Sequence, residues 1–176
     1  GGTADGSSPH VVNLTGAELT SGTKTDITLT NDPTLVDGTV YTIEFDGVDL
    51  ADNPASTITS TNVTYDITPP GVTNIERQSP TNNPTNADQV FWDITFDGPV
   101  SNVDASDFNV SGTTADIDQA VDQGGNVYRL RASGGNLANL DGTITLTLAS
   151  TDIQDCSGNI LPNITPSGTD ERTFDI

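Results

Sequence analysis

Several residue types are scarce in this sequence, and each scarcity excludes a class of protein. There is one cysteine and one histidine, so no intrachain disulfide is possible and no zinc-ligand cluster can be read from the sequence. Lysine and arginine number five against 25 acidic residues, which gives a formal net charge of −20. A polyanionic surface repels nucleic acid and anionic lipid. No apolar run approaches the roughly 20 residues of a spanning helix, so we expect no nucleic-acid partner and no membrane insertion.

Catalytic signatures are also missing. The single histidine is His10, and no Ser/His/Asp arrangement, nucleophile elbow or phosphate-binding loop can be read around it or elsewhere. Cys156 stands beside Asp155 in an acidic loop, where neighbouring carboxylates disfavour a reactive thiolate. Paired carboxylates are too numerous to single out an acid and a base. We therefore do not expect an enzyme.

The pattern that is present is that of β-strands. Short segments rich in Thr, Val and Ile alternate with polar residues, and Gly, Asn, Asp and Pro separate them. Only residues 135–142 suggest a helical turn. Strands are predicted over residues 10–14, 26–30, 40–45, 56–67, 72–77, 90–96, 108–112, 115–121, 127–132, 143–149 and 172–176. Many short strands with regular turns predict an all-β fold of the sandwich type.

Two of these strands allow a prediction for individual side chains. In "VFWDITF" (90–96) the apolar residues Val90, Trp92, Ile94 and Phe96 share one face. We predict that Trp92 is a core residue rather than a platform for a ligand. In "VYRLRA" (127–132) the two arginines alternate with apolar residues, and we expect them to balance aspartates on neighbouring strands; a small anionic-ligand site is the alternative.

The sequence contains an internal repeat. "VTYDI" (63–67) and "RTFDI" (172–176) share the order Thr-aromatic-Asp-Ile. Each is preceded by a loop of the form Asp-x-x-[Gly/Asp]-Asn, which is "DLADN" (49–53) in one case and "DCSGN" (155–159) in the other. Each loop in turn follows an apolar strand. The same succession of strand, loop and last strand therefore occurs twice.

The repeat divides the chain into two predicted domains. We place an incomplete β-sandwich over residues 1–67 and a complete one over residues 68–176. The first lacks counterparts of the opening strands of the second. Two explanations stay open: a boundary that cuts through the repeat, or a sandwich that is completed by a strand from another copy of the chain.

A family resemblance becomes specific at this point. Most of the chain, and residues 66–176 in particular, resembles the bacterial Ig-like repeats of large extracellular adhesins and surface proteins. The segments that carry the resemblance are "TLVDGTVYTIEFDGVDLADN" (34–53), "YDITPPGV" (65–72), "SPTNNPTNADQVFWDITFDGPVSNVDASDFNVSGT" (79–113), "YRLRASGGNLANLDGTITLTLAS" (128–150) and "DIQDCSGN" (152–159). Asp52 departs from the pattern, because the family usually has Gly there.

The resemblance implies a fold, a location and a role. The fold is a pair of tandem Ig-like β-sandwiches, the first incomplete and the second complete. The location is the bacterial cell surface or the extracellular space, with neighbouring repeats of the same chain as partners. The role is that of a structural spacer, often stiffened by calcium at the joints. Alternatives are a module that binds glycan or host protein, and a subunit of a self-assembling filament completed by strand exchange.

Chain geometry gives a separate reason to expect calcium. In an Ig-like sandwich the loop before the last strand lies at the end where the chain enters, beside the linker. The loop after the Trp92 strand should lie at that end too. The predicted ligands are Asp66, Asp152 and Asp155, with Asp97, Asp104 or Asp107 as further donors. Calcium takes about six to eight oxygen ligands. None of these loops has EF-hand spacing, and short Asp/Asn loops also cap their own backbone, so both interpretations stay open.

Overall fold

The computed structural model describes residues 9–14, 28–29, 31–149 and 152–176. The chain divides into two compact units, Gly1–Ile67 (unit 1) and Thr68–Ile176 (unit 2). The described residues form eleven strands, paired antiparallel within every sheet, and two short 3₁₀ turns. The chain is therefore all-β, as predicted. None of the described segments is a helix long and apolar enough to cross a membrane.

In unit 1 the described residues contain one two-stranded sheet. Strand β1 (Thr39–Phe45) pairs with strand β2 (Ile58–Tyr65), and the register shifts at a bulge between Tyr41 and Ile43. The strand predicted over 10–14 is wrong, because none of these residues is part of a strand. The strand predicted over 26–30 lies largely outside the described residues.

Unit 2 contains a four-stranded sheet in the order β3-β4-β8-β7. Each neighbour in this order is antiparallel, and the β7–β8 hairpin turns through two glycines and Asn126, all three with positive φ. The strands of this sheet are β3 (Val72–Ser79), β4 (Gln89–Phe96), β7 (Asp116–Gly124) and β8 (Val127–Ser133).

A three-stranded sheet completes the core of unit 2. Its order is β11-β9-β6, with β9 in the centre. The strands are β6 (Phe108–Ser111), β9 (Thr143–Leu148) and β11 (Thr173–Asp175). The single helical turn expected within residues 135–142 is present as a 3₁₀ turn, Leu137–Asn139.

The core lies between these two sheets, and β4 shows why. Its residues alternate strictly, so that Val90, Trp92, Ile94 and Phe96 are buried, at most 2% exposed, while the residues between them are partly exposed. Trp92 meets Phe174 of the second sheet edge to face, with ring centroids 5.2 Å apart. Such pairs contribute on the order of 1 kcal/mol beyond their buried area. The prediction that Trp92 is a core residue is confirmed.

Candidate functional site

The loop after β4 and the loop before β11 meet at one end of unit 2. Strand β5 (Val100–Ser101), in the first loop, pairs antiparallel with strand β10 (Gln154–Asp155), in the second. The amide of Asn102 also donates to the backbone carbonyl of Asp152 at 3.2 Å. The sequence predicts this proximity, and the pairing confirms it. We call this part of unit 2 the entry end, defined by residues 68–71, 97–107 and 152–159.

In the first of these loops two aspartates close a 3₁₀ turn. The Oδ1 atom of Asp104 accepts from the backbone N–H of Ser106 at 2.7 Å, and the Oδ2 atom of Asp107 accepts from the N–H of Asp104 at 2.6 Å. Together they form a capping box around Ala105–Asp107. Asp107 is only 1% exposed, so its carboxylate is a buried structural group of this loop.

The second loop is a tight hairpin held by Asp155. Its Oδ1 atom accepts from the N–H groups of Ser157 and Asn159 at 2.8 and 2.9 Å, and its Oδ2 atom accepts from the Asn159 amide at 2.9 Å. The backbone adds bonds from Asp155 N–H to the Asn159 carbonyl and from Gly158 N–H to the Asp155 carbonyl. Gly158 has φ of 86°, which the turn requires.

Unit 1 contains the same hairpin. Asp49 Oδ1 accepts from Ala51 N–H at 2.8 Å and from Asn53 N–H at 3.0 Å, and Asp49 Oδ2 accepts from the Asn53 amide at 2.9 Å. The backbone bonds Asp49 to Asn53 and Asp52 to Asp49 repeat those of the second hairpin. Both hairpins also begin and end with an isolated bridge, Val48 to Pro54 and Gln154 to Ile160. The repeat read from the sequence is thus a repeat of structure.

These hydrogen bonds lower the pKa of both hairpin carboxyls. For Asp49 the largest cause is the side-chain amide of Asn53, followed by the backbone N–H groups of Asn53 and Ala51. For Asp155 desolvation is the largest single effect and raises the pKa, but the amide and N–H of Asn159 and two further N–H groups outweigh it. Both side chains therefore stay ionised to lower pH than an ordinary aspartate.

Residues 68–71, through which the chain enters unit 2, are bonded to both loops. Gly71 N–H donates to Asp97 Oδ1 at 3.0 Å, and Asp97 N–H donates back to the Gly71 carbonyl at 2.9 Å. The Asn159 amide donates to the Thr68 carbonyl at 3.4 Å. These contacts are not among those predicted from the sequence. The sequence features that could have indicated them are the glycine after the proline pair and the asparagine that ends the hairpin motif.

The six predicted calcium ligands are distributed as follows. Asp97, Asp104, Asp107, Asp152 and Asp155 lie at the entry end of unit 2, whereas Asp66 lies just after β2 in unit 1. The donors at the entry end are carboxylate and carbonyl oxygens, which is the ligand type that calcium prefers. The carboxylates of four of them, Asp97, Asp104, Asp107 and Asp155, accept hydrogen bonds from the protein. Within the described ranges, no group of three or more His, Cys, Asp or Glu side chains is arranged to hold a metal ion.

The two arginines of β8 form ion pairs across their sheet. Arg129 binds Asp93 of β4 through two hydrogen bonds of 2.8 Å, and Arg131 binds Asp118 of β7 in the same way. Ser133 adds a third bond to Asp118. The predicted charge balance is confirmed, and the alternative of an anionic-ligand site at these arginines finds no support, because both guanidinium groups are engaged by carboxylates.

Unit 2 also has two shallow depressions. One, of 270 Å³, is lined by residues of the β3–β4 and β8–β9 connections, including Asp88 and Gly135. The other, of 170 Å³, lies between the β7–β8 turn and Pro99, with Tyr128 on one side. Both are smaller than the roughly 300–1,000 Å³ of typical small-molecule sites.

Comparison with protein families, with characterised proteins and with solved structures finds no match to this chain.

Proposed function

We propose that the chain is part of a tandem array of Ig-like β-sandwiches, which serves as a structural spacer in a bacterial cell-surface adhesin and is stiffened by calcium where units join. The observation that carries this proposal is the repeated hairpin. Asp49–Asn53 and Asp155–Asn159 make equivalent hydrogen bonds in two separate units of one chain. In a tandem array each repeat contacts its neighbours in a line, so the number of repeats sets the length of the array.

The strand order of unit 2 supports the Ig-like assignment. In constant-type Ig domains strands A, B, E and D form one sheet and C, F and G form the other. If the two-residue strands β5 and β10 are set aside, the strands of unit 2 take the letters A to G in chain order. The sheets β3-β4-β8-β7 and β11-β9-β6 then read A-B-E-D and G-F-C. Trp92 lies on β4, which is strand B in this lettering, whereas the hallmark tryptophan of antibody domains lies on strand C, so the assignment rests on the strand order alone.

The same letters relate unit 1 to unit 2. Strands β1 and β2 flank the Asp49 hairpin just as β9 and β11 flank the Asp155 hairpin, and they pair with each other in the same antiparallel sense. The triplet Asp-Gly-Thr leads into β1 at residues 37–39 and into β9 at residues 141–143. In this proposal β1 and β2 are strands F and G of a preceding repeat.

The calcium part of the proposal rests on charge and ligand chemistry. A net charge of −20 destabilises a compact fold through self-repulsion, and bound cations reduce that cost. The residues that would hold the ion are Asp66, Asp152 and Asp155, with oxygens from Asp97, Asp104 or Asp107. A bound calcium would supply charge neutralisation and a crosslink between chain segments.

The spacer role is tested by asking whether this chain binds anything by itself. On a glycan array and on a panel of host extracellular-matrix proteins, the chain should give no reproducible binding signal above the background of blank positions. Specific, saturable binding to one glycan or one host protein would contradict the spacer role and support a ligand-binding module, for which the two shallow depressions of unit 2 are the first places to mutate.

A second candidate, assembly by strand exchange, is favoured by the surface of unit 1. Phe45 is 62% exposed, Ile58 is 68% exposed and Leu50 is 93% exposed. Phe45 and Ile58 are directly paired across β1 and β2 and so share one face of that sheet. Apolar strands donated by another copy of the chain would cover this face. Sedimentation over a range of concentrations tests the idea: a monomer throughout contradicts it, and a filament or stable oligomer supports it.

A further inference from the structure

We propose that Asp97 and Asn159 form a two-point clamp that fixes residues 68–71 on unit 2 without any cation. The inference rests on the proposed spacer function, because a spacer needs a defined direction for the chain that enters each unit. Hydrogen bonds within unit 2 would set the direction of residues 68–71. Calcium would then stiffen a linker that these bonds have already ordered.

The first point of the clamp is the pair Gly71 and Asp97. Two hydrogen bonds join them, Gly71 N–H to Asp97 Oδ1 at 3.0 Å and Asp97 N–H to the Gly71 carbonyl at 2.9 Å. The fit is close, since a Cβ added to Gly71 would lie 2.9 Å from Asp97 Oδ2. The carboxylate thus occupies the space that any other residue at position 71 would fill.

The second point is Asn159. Its amide nitrogen carries two hydrogens, and it donates to Asp155 at 2.9 Å and to the Thr68 carbonyl at 3.4 Å. The Asp155 hairpin therefore holds the amide in place, and the amide holds the linker. Between the two points, Pro70 is buried, and both prolines restrict φ. The segment has little freedom left once its ends are bonded.

Unit 1 supplies a matched control. Asn53 makes the same bonds to Asp49 that Asn159 makes to Asp155, but it belongs to unit 1. Asn53→Ala therefore removes an equivalent bond within the Asp49 hairpin and leaves every residue of the clamp in place.

The test is amide hydrogen exchange and ¹⁵N relaxation of the full chain in chelator. In the unmodified chain the Gly71 N–H should be protected, and Thr68 and Gly71 should show the same order as the strands of unit 2. Asp97→Ala should speed exchange at Gly71 by about tenfold, as expected for loss of a bond to a charged acceptor. Asn159→Ala should loosen Thr68, and Asn53→Ala should leave both residues unchanged.

Two further measurements keep the result interpretable. Asp97→Asn retains an acceptor oxygen and should restore most of the protection at Gly71, and the Trp92 emission spectrum checks that every variant is folded. A mobile linker in the unmodified chain, or unchanged linker dynamics in folded Asp97→Ala and Asn159→Ala, would overturn the clamp. Neither result bears on the spacer role, which is tested separately by the binding assays and by the response to calcium.

Discussion

Asp52 and Gly158 occupy the same position in two copies of one hairpin, and both have a left-handed backbone. Their φ angles are 63° and 86°. Each donates its N–H to the carbonyl of the aspartate that opens the hairpin, Asp49 or Asp155. The aspartate at position 52, where the second hairpin has glycine, thus preserves the turn at the cost of a strained backbone.

This relationship predicts opposite effects for reciprocal substitutions. Gly158→Ala should destabilise unit 2 by about 1 kcal/mol, because alanine is disfavoured at positive φ although there is space for its Cβ. Asp52→Gly should relieve strain and be neutral or stabilising for unit 1. Gly142→Ala is the control, since Gly142 also has space around it and lacks positive φ. Denaturant unfolding measures all three; equal effects of Gly158→Ala and Gly142→Ala would contradict the assignment.

Substitution of Trp92 should strongly change the stability of unit 2, because Trp92 is fully buried and packs against Phe174. Trp92→Ala should cost about 3–5 kcal/mol. Trp92→Phe should cost clearly less, because the indole N–H has no hydrogen-bond partner among the described residues and its loss leaves nothing unpaired. Fluorescence of the folded chain provides an independent check. An emission maximum like that of indole in water would refute the burial of Trp92.

Cys156 should be dispensable for the fold. Its side chain is exposed in the turn of the second hairpin. We expect Cys156→Ser to change the free energy of unfolding by less than about 1 kcal/mol. A thiol reagent should react with the folded chain nearly as fast as with the unfolded chain. A protected thiol, or loss of folding in the serine variant, would show that the hairpin is packed differently.

The lowered pKa of Asp49 predicts how the stability that this carboxylate contributes changes with pH. Because the folded-state pKa lies below the ordinary 3.8, the stabilisation from this carboxylate is complete above that value and is lost as the pH falls through the lowered one. An NMR titration of the carboxyl carbon should give a midpoint below 3.8. In Asn53→Ala the midpoint should return toward that value. A midpoint that the substitution does not move would mean that the amide is not the main cause.

Sequence periodicity predicts the strands in which apolar and polar residues clearly alternate. It fails where the alternation is imperfect or where the strand is too short to show a period. In β4 every second residue is apolar, so the buried face could be read directly. Residues 10–14 contain three apolar residues without strict alternation, and none of the five is part of a strand. Strands β5 and β10 have two residues each, too few to show any period.

For the candidate site, the sequence indicated which loops meet but not where their side chains point. The strand order of a sandwich brings the loops after β4 and before β11 to one end, and β5 and β10 join them there. Whether an aspartate faces a cation or its own backbone depends on local φ and ψ. That is why Asp104 and Asp107, predicted as calcium donors, were not recognised as the two halves of a capping box.

We propose that calcium stabilises this chain, and a melting and scattering experiment in chelator and in calcium tests that proposal most directly. Extracellular calcium sites bind at about 10⁻⁴–10⁻³ M, so about 5 mM calcium fills them. The free energy of unfolding should then rise by roughly RT ln(1 + [Ca²⁺]/Kd), or about 1.4 kcal/mol at a tenfold excess over Kd.

Three variants separate the calcium effect from the hairpins' own stability. Asp155→Ala and Asp49→Ala each remove a hairpin cap, so both should melt lower in chelator. We expect Asp155→Ala and Asp66→Ala to lose most of the gain from calcium, whereas Asp49→Ala should retain it. We also expect the scattering profile of the unmodified chain to change when chelator is added, as the two units tumble more independently. The calcium concentration of 5 mM is about fivefold above the Kd of the weakest extracellular sites. If the melting temperature and the scattering profile are the same in chelator and in 5 mM calcium, the proposal that calcium stabilises this chain is contradicted.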